Sequence, residues 1–241
     1  MGKRLDIYIV EQKIAKSRTL AQSFIEDGKI ILNGKTAKKP SETVNDGDKV
    51  EFVGELPKYV GRGGLKLEKA LAVFSIDIKD LVCLDVGAST GGFTDCMLQS
   101  GAKKVYAVDV GRSQLDEKLK ADRRVVSVEN TDIRKAENEI PEKVDFAAID
   151  VSFISLKLIL PEVKRFLNKG QSFVALIKPQ FEAGKRFLGK NGVIKDKKLL
   201  KSITSDISAF CESIGFEVKG ITQSPVLGGD GNTEFLIYLG Y

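Results

Sequence analysis

Apolar side chains in the opening of the chain recur at helical intervals. Leu5, Ile9 and Val10 share one face, and Leu20, Ala21, Phe24 and Ile25 share another behind Ser17, which suits a helix N-cap. Gly28 is placed to stop the second helix. The pattern then changes to short extended runs: 29–32, the hairpin signal Asn33-Gly34, a break at Pro40-Ser41, the turn Asn45-Asp-Gly-Asp48 and a last strand at 49–53. Residues 1–56 therefore read as a small α+β domain. One proline and three glycines within Pro57-Lys-Tyr-Val-Gly-Arg-Gly-Gly64 predict a linker, or a loop approaching a ligand, over 57–64, with the domain boundary there. From 65 to 241 apolar strands at 81–86, 104–108, 125–128, 144–149 and 172–177 alternate with helical stretches of crossover length, predicting an α/β fold with a Rossmann-like, mostly parallel sheet. Two final strands, 216–223 and 234–239, are joined by Gly228, Gly229 and Gly231 with no helix between them. They predict a hairpin that leaves the last strand antiparallel at the sheet edge.

Composition narrows the chemistry. With 241 residues, 42% of them hydrophobic, the chain can bury a proper core. No apolar run approaches the roughly 18 to 20 residues of a membrane-spanning helix, and Met-Gly-Lys-Arg-Leu-Asp lacks the apolar core of a signal peptide, so a cytoplasmic location is expected. Cys83, Cys96 and Cys211 form no C-x-x-C pair and read as reduced packing residues. Histidine is absent, which removes Ser/His and Cys/His nucleophilic catalysis, histidine bases and every histidine-containing metal site. No metal is expected. Acid/base work falls to Lys, Asp, Glu or Tyr. The net charge of +5 permits a nucleic-acid partner, and its distribution is uneven: Lys178 to Lys201 holds eight cations against two carboxylates. Phe181 to Lys198, with Gly184, Gly189 and Gly192, reads as a basic loop suited to a phosphate backbone, Lys185 and Arg186 leading it.

The first parallel strand runs into Asp85-Val-Gly-Ala-Ser-Thr-Gly-Gly-Phe-Thr-Asp95 and then a helix. Such a turn lets backbone approach a nucleotide at the carboxyl end of a sheet. It is neither G-x-G-x-x-G nor a P-loop, which weakens NAD and ATP readings. Asp109 ends the second strand 22 residues past Gly87, where a carboxylate accepts ribose hydroxyls, and Asp132 after the third strand suits an adenine amino group. The carboxylate-led turn and these two residues in register resemble an S-adenosylmethionine site, with Asp85, Gly87, Ala88, Ser89, Gly91, Gly92, Phe93, Asp109, Asp132 and Asp150 as cofactor contacts. Taken singly, each aspartate would be read as a helix cap.

Two further resemblances follow from spacing. R-L-D-x-x-I-V-E followed by S-R-x-x-A-Q-x-x-I-x-x-G-x-I-x-x-N-G, over residues 4 to about 53, resembles the alpha-L RNA-binding motif of a small-subunit ribosomal protein and many pseudouridine synthases. It implies RNA contacts from Arg4, Lys16, Arg18, Lys29 and Lys35, with Arg62 added from the glycine-rich stretch. Strand ends supply the second: Asp150 after the fourth strand, Lys178 after the fifth, Glu234 opening the last, and Lys66 in the helix before the cofactor turn. This Lys-Asp-Lys-Glu set resembles FtsJ-like ribose methyltransferases, and coupled to an alpha-L motif it resembles the TlyA family, often labelled hemolysin A. The resemblance implies transfer of a methyl group from S-adenosylmethionine to a ribose 2′-hydroxyl of ribosomal RNA, with a flipped cytidine as target and large-subunit RNA favoured by the compact chain. In that family pattern Lys178 is the base, Asp150 orients its amine, and Lys66 and Glu234 place the hydroxyl and balance charge. Asp150-Val-Ser-Phe153 lacks the prolines of base-amine enzymes, and no cysteine stands where cytosine carbon-5 enzymes need one. Two other classes remain to be weighed: a membrane-active protein, disfavoured by the absence of a basic amphipathic segment, and an RNA-binding protein with an inactive cofactor domain.

Overall fold

A computed structural model describes residues 2–184, 192–229 and 231–241. The chain divides into two units, Met1–Pro57 and Lys58–Tyr241.

In the first unit β1 (Lys3–Arg4) pairs with β4 (Thr43–Val44), and α1 (Leu5–Glu11) and α2 (Arg18–Glu26) pack beside a three-stranded antiparallel sheet, β3-β2-β5, made of β2 (Ile30–Leu32), β3 (Lys35–Thr36) and β5 (Val50–Phe52). The Ser17 hydroxyl accepts from Leu20 N–H, as a cap at that position should. Asn33 and Gly34, at φ of 52° and 77°, make the tight turn between β2 and β3. Leu5, Ile9, Ala21, Phe24, Ile25 and Ile30 close the core.

The second unit carries a seven-stranded sheet in the order β11-β12-β10-β9-β6-β7-β8. Its strands are β6 (Val82–Val86), β7 (Lys104–Val108), β8 (Val125–Val128), β9 (Val144–Ile149), β10 (Leu167–Ile177), β11 (Glu217–Gln223) and β12 (Phe235–Gly240). Five are parallel, and β12 runs antiparallel between β10 and β11. The antiparallel strand therefore lies one position inside the sheet, and the edge expected for it is taken by β11, because the hairpin folds outward. Successive residues of β10 alternate between two cores: Phe173, Ala175 and Ile177 face α6 (Leu156–Val163) and α8 (Lys197–Ser213), while Val174 and Leu176 face α3 (Gly63–Val73) and α4 (Gly92–Gln99). The short helices α5 (Glu117–Lys120) and α7 (Pro179–Glu182) lie after β7 and β10.

The linker expected over 57–64 is not a free spacer. Tyr59 is buried, Val60 N–H donates to Asp95, and Gln99 holds the Lys58 carbonyl. Helix α3 begins at Gly63, inside the stretch expected as linker, and packs against Tyr59 so closely that a Cβ at Gly64 would stand 2.3 Å from the ring, a contact glycine alone admits. Buried thiols of Cys83, Cys96 and Cys211 are unpaired and pushed up to about 12, 11 and 12 by desolvation, as packing cysteines are. Among the described residues no helix is long and apolar enough to cross a membrane.

Candidate active site

At the carboxyl ends of β6, β7 and β9 lies a cleft of about 360 Å3, walled by Gly87, Ser89, Asp109, Val110, Asp132, Asp150, Ser152, Phe153 and neighbouring apolar residues. A second cavity of about 270 Å3 adjoins it and is lined by Arg62, Lys66, Gly87, Ala88, Ser89, Gly92, Phe93, Asp150, Ser152, Lys178, Leu227 and others. Gly87, Ser89, Asp150 and Ser152 belong to both walls, so they mark the boundary between the two spaces. Gly87 has φ +86°, and a Cβ there would stand 2.3 Å from the Asp150 carbonyl oxygen. The turn after β6 and the end of β9 thus touch backbone to backbone.

The cleft suits a nucleoside-bearing cofactor. Its volume is within the range of small-ligand sites. Asp109 lines the cavity, its two carboxylate oxygens fixed by Ser89 N–H and Gly111 N–H at 2.7 and 2.6 Å. Asp132 caps the turn at Ile133–Lys135 and pairs with Arg134, whose guanidinium holds its carboxyl below the usual range. It too faces the cleft. Asp85 and Gly91 stand in neither wall. Gly91 is the N-cap of α4, and Asp85 is fully buried beneath the turn, accepting from the Thr94 hydroxyl at 2.6 Å, with no partner for its other oxygen among the described residues. Desolvation pushes the Asp85 carboxyl up to about 7, against the opposing Thr94 bond and with help from the charges of Asp150 and Asp109.

Lys66, Asp150 and Lys178 of the second wall join with Glu234, which stands in neither wall, in a chain of alternating charge. Lys66 Nζ lies 2.6 Å from Glu234 Oε2 and 3.8 Å from Asp150 Oδ2, and Lys178 Nζ lies 2.7 Å from Asp150 Oδ1. Four separate elements bring these side chains together: α3, the end of β9, the end of β10 and the start of β12. Their side chains are 2–18% exposed, so the two cations and two carboxylates balance inside the protein rather than in water.

Three features were not legible in the sequence. The Ser152 hydroxyl accepts from Lys178 Nζ at 2.7 Å. Phe153 is 90% exposed at the mouth of the cleft with φ +65°, a conformation that a bulky residue rarely adopts, and its ring lies 5.0 Å from that of Phe181. In the first unit Asp6 is fully buried and accepts from Arg4 Nε, Arg18 Nη2 and Gln22 Nε2 at 3.0, 2.9 and 3.0 Å, which holds its carboxyl well below the ordinary range. The R-L-D spelling carries Asp6 beside Arg4, but its burial and its second cation, Arg18, come from the packing of α1 on α2.

Of the residues expected to meet RNA, Arg4 and Arg18 meet at Asp6, Lys29 and Lys35 flank the Asn33-Gly34 turn, Lys16 is exposed, and Arg62 lines the second cavity. Lys185 and Arg186 fall outside the described residues.

Comparison with known proteins agrees in both units. A model of the FtsJ-like methyltransferase family matches residues 59–241, and a model of the S4 domain matches residues 3–50. The Bacillus subtilis protein named "Putative rRNA methyltransferase YqxC" is 46% identical over 98% of this chain and 85% of its own. The Mycobacterium tuberculosis protein named 16S/23S rRNA (cytidine-2′-O)-methyltransferase TlyA is 38% identical over 98% of this chain and 89% of its own. A solved structure, "Putative hemolysin from Streptococcus thermophilus", superposes with a TM-score of 0.78 at 45% identity, covering 99% of this chain and 88% of that one.

Proposed function

Because the chain belongs to the FtsJ-like methyltransferase family and carries an S4 domain at its N-terminus, we propose that it methylates a ribose 2′-hydroxyl of ribosomal RNA, taking the methyl group from S-adenosylmethionine. The observation that carries this reading is the Glu234–Lys66–Asp150–Lys178 chain, of which Lys66, Asp150 and Lys178 line a polar cavity beside a nucleoside-sized cleft and Asp150 lines both.

Bound S-adenosylmethionine supplies its methyl on a sulfonium, whose sulfur keeps the electron pair of the carbon–sulfur bond. Asp109 and Asp132 would hold the adenosine end of the cofactor from the wall of the cleft, and the backbone of the Gly87–Ser89 turn would admit it closely. Lys178 takes the proton of the 2′-hydroxyl as the oxygen gains the methyl group, which a hydroxyl requires because it is a poor nucleophile until its proton is drawn off. Asp150 holds the Lys178 nitrogen at the boundary. Lys66, tied to both Glu234 and Asp150, keeps those carboxylates fixed and presents positive charge toward the acceptor. Phe153 offers an exposed ring on which a base displaced from its helix can stack. In the first unit, Arg4 and Arg18 would take phosphates, Lys16, Lys29 and Lys35 would extend that surface, and Arg62 would meet the backbone at the cavity mouth.

Cytidine is the favoured nucleoside, since the relative named TlyA is a cytidine-2′-O enzyme. The test is transfer of labelled methyl to naked rRNA and to separated ribosomal subunits, followed by nuclease digestion and nucleoside mass spectrometry. The expected product is 2′-O-methylcytidine, with large-subunit RNA the better substrate. Methyl found on a base, or no transfer from a protein that binds both cofactor and RNA, overturns the reading.

A further inference from the structure

Asp150 and Lys178 leave β9 and β10 on neighbouring loops, and three cross-links join those loops in sequence order. Lys178 donates to Ser152, the Phe181 ring packs on Phe153, and Glu182 accepts from the Ser155 hydroxyl at 2.5 Å and from Leu156 N–H at 2.8 Å. Within this ladder the contacts of Lys178 are unequal. Its nitrogen is 2.7 Å from Asp150 Oδ1, yet among the described residues that oxygen has no aligned hydrogen-bond donor, so the contact is an ion pair out of line for a hydrogen bond. The Ser152 hydroxyl is the one aligned acceptor of Lys178 among the described residues.

We propose that Ser152 is a positioning residue for Lys178, fixing the direction of the amine so that its lone pair meets the 2′-hydroxyl. This rests on the reading of Lys178 as the base. A neutral amine has two N–H bonds and one lone pair. Ser152 takes the first N–H, and Asp150 Oδ1, already within reach, takes the second once a small shift of the two side chains brings them into line. The lone pair is then left for the substrate. When the hydroxyl proton moves to Lys178, the nitrogen becomes an ammonium with three N–H bonds, two on the same protein acceptors and the third on the newly methylated oxygen. Ser152 suits this task by location, for it lines both cavities, whereas Lys178 lines only the second. The backbone beside it is held at the unusual φ of Phe153.

The experiment compares wild type, Ser152→Ala, Ser152→Thr, Lys178→Ala and the Ser152→Ala/Lys178→Ala pair in single-turnover methyl transfer, with cofactor and RNA affinities measured by calorimetry on the same preparations. Losing a hydrogen bond to a charged or catalytic nitrogen lowers the rate by about ten- to a hundredfold. The expected result is that loss in Ser152→Ala with both affinities unchanged, recovery in Ser152→Thr, and no further loss when Ser152→Ala is added to Lys178→Ala. A Ser152→Ala rate within twofold of wild type overturns the inference while leaving the methyltransferase reading intact, as does an equal loss in the Lys178→Ala background. Absence of transfer by wild type itself fails the underlying reading instead.

Discussion

Buried carboxylates hold cations in two places in this molecule, to opposite ends. In the first unit one carboxylate, Asp6, anchors two arginines whose side chains remain 46% and 56% exposed. In the second unit two carboxylates hold two lysines whose side chains are only 10% and 11% exposed. The residue types match the exposures. A guanidinium does not give up its proton in a protein and presents a planar fork to a phosphate, so it serves for binding. A lysine can exist as a free amine and is the cation to keep in a closed site where a proton must move. One cluster leaves its two cations in solvent around a buried carboxylate, and the other keeps all four of its charges inside the protein, as the proposed proton transfer requires.

The sharpest way to break this contrast is to remove the amine. Lys178→Ala lowers methyl transfer by about 10²–10⁴-fold, the usual worth of general base catalysis, while RNA and cofactor affinities hold. Lys178→Arg is expected to fail equally, because it restores the charge without a removable proton. A Lys178→Arg variant with near wild-type turnover shows instead that only the positive charge matters. Next in size is the other lysine. Lys66→Met leaves Glu234 buried and unpaired and destabilises the protein by about 3–5 kcal/mol in denaturant titration, and adding Glu234→Leu recovers most of that loss. Both variants lose activity, which separates the stability of the chain of charges from its use.

The parts of this picture that were legible in sequence are those governed by local pattern. The near-continuous apolar runs of β6, β7, β8, β9 and β10 located the sheet, because a strand covered on both faces carries apolar side chains on both. Polar residues after β9 and β10, before β12 and in the helix ahead of the turn picked out Asp150, Lys178, Glu234 and Lys66, which the structure brings together. What escaped depends on packing between elements distant in the chain. Gly63 and Gly64 read as linker because glycine breaks helices, yet the Tyr59 ring needs a residue without Cβ there and α3 starts early. Ser152 carries no motif of its own, and its contact with Lys178, 26 residues away, exists only because two loops are cross-linked. Asp85 was expected to touch the cofactor, but it lies fully buried outside both cavity walls, a tertiary fact that its place before the turn does not encode.

Asp85 gives the third test, one that neither cluster shares, since it is a buried carboxyl with no cation. Its folded value of about 7 lies above that of the unfolded chain, near 4, so the folded state holds a proton that the unfolded state has released between those values. Stability therefore falls as pH rises from about 4 to about 7 and levels off above, a penalty on the order of 4 kcal/mol. Asp85→Asn keeps an acceptor for Thr94 and removes the charge. Its melting temperature should exceed that of wild type at pH 8 and converge on it near pH 4. A constant difference across that range means that Asp85 does not titrate there.

The smallest effect tests the outward cluster by its sign. Asp6→Asn raises the net charge of the protein by one, and Coulomb attraction alone would then tighten its hold on RNA. If the role of Asp6 is to fix Arg4 and Arg18 as a pair, the same change weakens binding, because two freed guanidinia must be ordered again on each encounter. The intact variant, shown by circular dichroism to be folded, is titrated with rRNA over a range of potassium chloride concentrations beside Arg18→Gln. Weaker binding, with a salt slope reduced by about 1 in each variant, assigns the arginines to phosphates through Asp6. Tighter binding with an unchanged or steeper slope would reduce Asp6 to a packing anchor, and the contrast between exposed and enclosed cations would then rest on the lysines alone.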